Sequence, residues 1–368
     1  MYIYELTGWP TFTWDSETLA HLLANIRHRQ GKMLGKMEVA GLSFRAEASL
    51  NNLTQEVVTS SEIEGETLAI DQVRSSIARG LGMDKNGLVA SDRHVDGVVE
   101  MMLDATQRFD QPLTADRLCA WQAALFPNGR SGLFNITVGA WRTGQKGPMQ
   151  VISGVIGKEK VHFQAPPADT IANQMARFLD WFNTEHQLDP VLKSAIAHLW
   201  FVTIHPFEDG NGRVARAIAD LQLARADQTP QRFYSMSAQI RIERNNYYRI
   251  LEKTQKGSLD ITEWLTWFLT CLGRSLDQAE EIWKGVNRKT KFWDEVNETD
   301  INQRQRLLLN QLLGGLDEKL TTSKWAKLAK CSTDTALRDI QNLMDKGLLS
   351  KEEAGGRSTS YVLKEDKA

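Results

Sequence analysis

Cysteine is scarce in this 368-residue chain: Cys119, Cys271 and Cys331 are far apart and odd in number. That argues against a disulfide framework or a cysteine zinc site, and it suits a reducing cytoplasm. Charge of one sign is also lacking, since 44 Lys and Arg face 46 Asp and Glu for a net charge of -2. A chain so balanced has no overall basic field, and any nucleic-acid binding must be local. No apolar run approaches membrane-spanning length, and no cationic start followed by an apolar stretch appears at Met1. The expectation is a cytoplasmic protein with no membrane partner. With 42% hydrophobic and 24% charged residues, the length allows two or three domains and a sizeable core.

The densest chemistry lies in His205-Pro206-Phe207-Glu208-Asp209-Gly210-Asn211-Gly212-Arg213-Val214-Ala215-Arg216. Upstream, Val191, Leu192, Ala195, Ile196, Leu199 and Trp200 recur at helical spacing, which predicts a buried helix stopping at Pro206. Downstream, Ala217, Ile218, Leu221 and Leu223 restart the pattern, so the motif closes one helix and opens the next. Gly210 and Gly212 let backbone N–H groups approach a ligand, and the new helix adds its positive dipole end: an anion site. Arg213 and Arg216, three apart, share a face and can both reach phosphate oxygens. Asp209 is a hard carboxylate in a place built for anions, which makes sense if Mg²⁺ sits between it and phosphates. His205, with an ordinary pKa near neutrality, is left as general base. It is not a P-loop, because no Gly-Lys-Ser/Thr follows the glycines.

At these residues the sequence resembles the Fic family, whose signature His-Pro-Phe-x-Asp/Glu-Gly-Asn-Gly-Arg-x-x-Arg is matched at every specified position. Most members move AMP from ATP to a hydroxyl of a target protein, so the resemblance implies an adenylyltransferase using ATP and Mg²⁺. It extends upstream. Ser60-Ser61-Glu62-Ile63-Glu64-Gly65 matches the family's inhibitory signature Ser/Thr-x-x-x-Glu-Gly/Asn, which implies that Glu64 pairs with Arg216 and obstructs the productive pose of ATP. Val151 to Gly154 and Val161 to Gln164 predict a hairpin. In the family such a flap, ending here in Phe163-Gln164-Ala165-Pro166, registers the target's backbone. Tyr247, Tyr248 and Gln255 match the positions that line the family's adenine and ribose pocket, although Gln255 stands where asparagine is common.

The expected fold is mainly α: a Fic helical core with a small β-hairpin flap, an N-terminal helical regulatory domain and a C-terminal winged helix. Boundaries fall at 1–108, 109–275 and 276–368. Aromatic Tyr2, Tyr4, Trp9, Phe12 and Trp14 predict an arm packed on the body. Helices are expected from Asp15 or Ser16, over 42–63 and 70–77, over 95–109 and 114–126, from Asn245 to Gln255 and over 261–272. Beyond a charged helical segment from about Leu276 come helices at 303–313 and 323–329 and one opening at Ser332. A wing is built from Leu348-Leu349-Ser350, a Gly355-Gly356 turn and Tyr361-Val362-Leu363, with Arg357 placed for phosphate. Asp334 and Asp339 flank Arg338 on the recognition-helix candidate, which leaves DNA and protein as alternative partners. The other partners implied are a target protein, the chain itself as acceptor, and a second copy in a homodimer. Rival activities are phosphoryl or UMP transfer, and a DNA-binding regulator whose Fic core senses nucleotide.

Overall fold

The structure is a computed structural model describing residues 1–83, 87–154, 160–296, 301–313, 320–352 and 359–364. It forms two compact units, Met1–Ala279 and Glu280–Ala368. Among the described residues there are fourteen α-helices and three two-stranded antiparallel sheets, so the protein is mainly α. No helix among them is long and apolar enough to cross a membrane.

The chain enters through an aromatic arm. Tyr2 and Tyr4 lie edge-on to Phe163, and Trp9 and Phe12 pack on Trp200. α1 (Ser16–Glu38) starts where the Asp15 carboxylate accepts the N–H groups of Glu17 and Thr18. α2 (Leu42–Ile63), α3 (Ile70–Gly80), α4 (Arg93–Gln107) and α5 (Ala115–Leu125) follow. Next come two hairpins, β1 (Arg130–Ser131) with β2 (Phe134–Asn135), and β3 (Gln150–Ser153) with β4 (Lys160–Gln164). In the second, Gln150 faces Gln164 and Ser153 faces Lys160; the tip between them, 155–159, lies outside the described residues.

α6 (Ile171–Thr184) leads to α7 (Pro190–Ile204), which opens on an Asp189 cap and a proline at its first position. From Val191 to Ile204 every residue of α7 is buried, the polar Lys193, Ser194, His198 and Thr203 included, so the helix is enclosed on all sides. α8 (Asn211–Asp227) packs along it, and Ser194 Oγ donates to the Ala219 carbonyl at 2.9 Å. α9 (Met236–Ile242) and α10 (Arg244–Gln255) precede α11 (Thr262–Val296).

The helix expected over 261–272 and the charged helical segment expected from about Leu276 are one unbroken helix, α11. Gly273 within it is a point of close approach: a Cβ there would lie 3.1 Å from Ile26 Cδ1 of α1. Leu276 and Ala279 then continue the buried face.

Polar bolts fasten α2 to the helices behind it. The buried Glu56 accepts from Ser235 Oγ at 2.6 Å and from the Ser237 N–H at 3.0 Å. Arg232 joins Asp227 at 2.8 Å and Asp220 at 3.3 Å. Burial, with Glu56 close by, pushes Asp220 well above the ordinary carboxylate range. The C-terminal end of α2 is therefore delivered to the α7–α8 turn by a braced helix, not by a free one.

The second unit gathers α12 (Gln303–Leu313), α13 (Thr322–Leu328), α14 (Thr333–Asp345), β5 (Leu349–Lys351) and β6 (Tyr361–Leu363). Its core is Trp325 with Leu308, Leu309, Ile340, Leu343 and Tyr361. Leu320 makes an isolated bridge to Tyr361 ahead of α13, α14 and the β5–β6 pair, the order expected of a winged helix. The expected Gly355-Gly356 turn and Arg357 lie outside the described residues. Asp339 does not share Arg338's exposed surface. It is buried, bonded to Arg304 Nε at 2.9 Å and to Asn302 Nδ2 at 3.1 Å.

Candidate active site

The turn from α7 to α8 is built by its own side chains. His205 caps α7 in the left-handed conformation, φ 53° and ψ 58°. That is an uncommon position for a residue with a Cβ, and one that persists only where the surroundings over-determine it. Its N–H still bonds the Phe201 carbonyl at 3.0 Å. Asn211 closes the loop from the other side, its Oδ1 accepting from the Phe207 N–H at 2.9 Å and its Nδ2 donating to the Phe207 carbonyl at 2.8 Å. Phe207 is wholly buried against Trp141. Asn211 and Phe207 thus fix the loop's shape from within, while Gly210, at φ 86°, opens α8.

The His205 ring is set for one role. Nδ1 lies 3.2 Å from the Val202 carbonyl, which can only accept, so Nδ1 carries the proton and Nε2 has a free lone pair. Burial pushes its pKa down to about 4; the Val202 carbonyl opposes the shift, and the Arg142 guanidinium assists it. At neutral pH the ring is therefore an uncharged base. Asp209 accepts the Gly210 N–H on Oδ1 at 2.6 Å and the Ser131 hydroxyl on Oδ2.

Both motif arginines are buried, and both are held by glutamates from the junction of α2 and α3. Arg216 donates Nε to Ser60 Oγ at 2.9 Å and Nη2 to the Ser60 carbonyl at 2.8 Å, and its Nη1 forms an ion pair with Glu64 Oε1 at 2.8 Å. Glu64 is the residue that ends α2. It reaches Arg216 only because position 212 is glycine: a Cβ there would lie 2.2 Å from Glu64 Oε1. Arg213 donates Nη1 to Glu66 Oε2 at 2.6 Å and stacks over Phe126. Its Nε is buried with no hydrogen-bond partner among the described residues. Glu66 also faces His94 Nε2 at 3.3 Å; that contact raises the His94 pKa, and Glu66 itself lies below its ordinary range.

Tyr247 and Tyr248 stand beside this lock. Tyr247 is buried with its hydroxyl 2.9 Å from His198 Nε2, and the Tyr248 hydroxyl reaches the Ile63 carbonyl at 3.3 Å, next to Arg244 Nε at 2.7 Å. Gln255 is buried one layer away, its Nε2 3.3 Å from Thr203 Oγ1.

The four flap residues have distinct placements. Phe163 is buried under the aromatic arm, and Gln164 Oε1 accepts from Gln150 Nε2 at 3.0 Å. The Ala165 N–H bonds the Met149 carbonyl at 2.9 Å, and the Pro166 carbonyl accepts from Arg142 Nη2 at 2.6 Å. Between the two hairpins, Ser131, Phe134, Ile136, Lys146, Met149 and Asp209 help line a cavity of about 380 Å³.

Sequence reasoning missed Glu66, His94, Ser131, Arg142 and Glu208. Glu208 fills the variable position of the motif, yet it accepts from the Thr137 N–H at 3.1 Å and pairs with Lys146 at 2.5 Å. Only Glu66 left a signal, being a second carboxylate two residues after Glu64.

A profile of the Fic/DOC family matches residues 112–223, and one described as a domain of unknown function (DUF4172) matches residues 2–83. The protein adenylyltransferases Fic of Drosophila yakuba and Drosophila melanogaster are each 36% identical over 118 residues, which is 32% of this chain. The match spans 22% of each of those relatives. A Fic family protein from Desulfovibrio desulfuricans superposes with a TM-score of 0.51 at 22% identity, covering 93% of this chain and 95% of that one. A Fic-domain signaling protein from Bacteroides thetaiotaomicron gives 0.52 at 22% identity, covering 71% and 97%.

Proposed function

Because the chain belongs to the Fic/DOC family, with the Fic domain at residues 112–223, we propose that it is a protein adenylyltransferase held off by its own N-terminal domain. It moves AMP from ATP to a Ser, Thr or Tyr hydroxyl of a target protein. The observation that carries this reading is the pairing of a neutral histidine, its Nε2 lone pair free, with a glycine-opened helix N-terminus bearing two buried arginines.

His205 Nε2 takes the hydroxyl proton. The oxygen attacks the α-phosphorus of ATP, a new P–O bond forms, and the bond to pyrophosphate breaks. The amide groups opening α8 and the Arg213 guanidinium receive the charge that develops on the phosphates. The unpartnered Arg213 Nε supports this assignment, since a phosphate oxygen would satisfy it. Among the described residues no three metal-ligating side chains cluster. Asp209 alone, with substrate phosphates, is the donor set that Mg²⁺ commonly accepts, and the ion would neutralise phosphate charge there. Tyr247, Tyr248 and, more distantly, Gln255 belong to the adenine side, and the flap from Phe163 to Pro166 to the target side.

Glu64 and Glu66 occupy the guanidinium groups that ATP phosphates would otherwise engage. We assign residues 1–108 to the regulatory domain, 109–275 to the catalytic one and 276–368 to the winged-helix part, with a cytoplasmic location. The test is intact-mass measurement after incubation with ATP and Mg²⁺, wild type beside Glu64→Gly. A gain of one AMP per acceptor, stronger in the variant, is expected. A different added mass would select UMP or phosphoryl transfer, and none in either protein would overturn the reading.

A further inference from the structure

Arg142 is buried, and among the described residues no carboxylate pairs with it. A guanidinium taken out of water without a counter-ion is costly, and it is kept only where its hydrogen bonds are specific. Those bonds converge on the active site. Nε donates to the His205 carbonyl at 2.8 Å, Nη2 donates to the Pro166 carbonyl at 2.6 Å, and the Arg142 N–H bonds the Pro206 carbonyl at 2.8 Å. The preceding residue, Trp141, packs on Phe207 with ring centroids 4.9 Å apart.

We propose that Arg142 is the positioning residue for the His205 base: its planar fork ties the left-handed catalytic turn to the exit of the flap, so that base and target strand are held in one register. The inference rests on the reading above and adds a residue to it. The argument is geometric. His205 sits in a backbone conformation that a residue with a Cβ rarely adopts, and its own N–H holds only the α7 side. The carbonyl that follows the ring has Arg142 Nε as its partner. If that bond is removed, the turn can relax, and a misplacement of about 1 Å at a reacting group costs roughly 10²-fold in rate. Besides burial, the same guanidinium opposes a proton on the ring, against Asp209 and Glu64, which favour one, so it also helps keep the base in its working form. A lysine restores the charge but cannot span two carbonyls with a fixed fork.

The test uses full-length protein carrying Glu64→Gly, with Arg142→Lys and Arg142→Ala added separately. The first readout needs no activity: the His205 imidazole resonances are titrated by NMR. In Arg142→Ala its titration midpoint is expected to move to higher pH, and in Arg142→Lys to remain near the parent's. The second readout is labelled-AMP transfer. For Arg142→Ala, kcat should fall roughly 10²-fold with the KM for ATP nearly unchanged. Its acidic limb should move up in pH, and millimolar guanidinium should recover part of the rate. Arg142→Lys should keep the limb but recover kcat only in part. If Arg142→Ala fails to fold, Arg142→Lys decides alone by its kcat loss at an unmoved midpoint. An unmoved midpoint in a folded Arg142→Ala, or unchanged kcat in Arg142→Lys, overturns the proposal. A parent that transfers no AMP would sink the functional reading, while the NMR arm would still judge Arg142.

Discussion

Two histidines, one within α7 and one capping it, show how much a single contact decides. His198 and His205 are both depressed by burial, to about 3 and about 4. His198 Nε2 is occupied by the Tyr247 hydroxyl, whereas His205 is held through Nδ1 by the Val202 carbonyl, which leaves Nε2 without a hydrogen-bond partner among the described residues. Only the second can act as a base. Since the neutral ring is the active form and its pKa lies near 4, the rate should stay flat across neutral pH and fall only as acid protonates the ring. A kcat profile from pH 5 to 9 checks the sign: an acidic limb near 6.5 would mean the ring is not sheltered. His205→Ala should cost about 10²–10⁴-fold in transfer with ATP affinity nearly unchanged, as read by calorimetric titration beside labelled-AMP incorporation. The arginine locks make a paired prediction. A hydrogen bond to a charged group is worth about 1.5–3 kcal/mol, less where its carboxylate is partly exposed, as Glu64 and Glu66 are, and holding a switch near 99:1 takes about 2.7 kcal/mol. Glu64→Gly should thus raise modification roughly ten- to a hundredfold. Glu66→Gln alone should raise it less, because Arg216 remains engaged, and the double variant should exceed both. If the double variant matches Glu64→Gly, Glu66 is structural only.

At the scale of elements, the helices were readable where one face or the whole circumference was apolar. α7 could be placed from Val191 to Trp200, and its end from Pro206, because a buried helix that meets a proline leaves few alternatives. β3 and β4 showed through Val/Ile clusters between glycines. The β1–β2 hairpin did not, since each strand has two residues and Leu133 and Phe134 are exposed, so no alternation exists to be seen. Glu64 was legible only through the resemblance of Ser60 to Gly65 to the family's inhibitory signature, since alone it reads as an acidic helix end. Arg142 was not, because its partners are backbone carbonyls, which carry no sequence signature. The flap is anchored by packing as well as by that guanidinium: Phe163 is buried and takes the edges of both arm tyrosines. Phe163→Ala should destabilise the protein by about 3–5 kcal/mol, read by denaturant unfolding. A loss under about 1 kcal/mol would mean the arm repacks into the gap.

For the whole molecule, the proposed inhibitory and transferase parts share a chain with the second compact unit, Glu280–Ala368, which raises the question of what that unit engages. Net charge gives no answer, since a protein at -2 has no field to draw a duplex. The local surface is less acidic than the sequence suggests, because Asp339 is turned inward onto Arg304 and only Asp334 remains beside Arg338. The exposed face of α14 then presents Leu337, Arg338, Gln341 and Asn342. One cation and an apolar side chain that could meet a thymine methyl, beside amides bonded to Asp345 and Gln305, suit a groove better than a face carrying both Asp334 and Asp339 would. With so few cations, binding through this face should be weak and modestly salt-dependent, the slope of log K against log salt reflecting only a few phosphates. Arg338→Ala should lower affinity for a panel of random duplexes in 50 mM salt and reduce that slope by about one, if Arg338 meets phosphate. If it meets a guanine edge, the loss should fall on particular sequences, at about 1–3 kcal/mol. Fluorescence anisotropy on the full chain separates these outcomes, and no binding to any duplex at low salt would assign the unit to a protein partner.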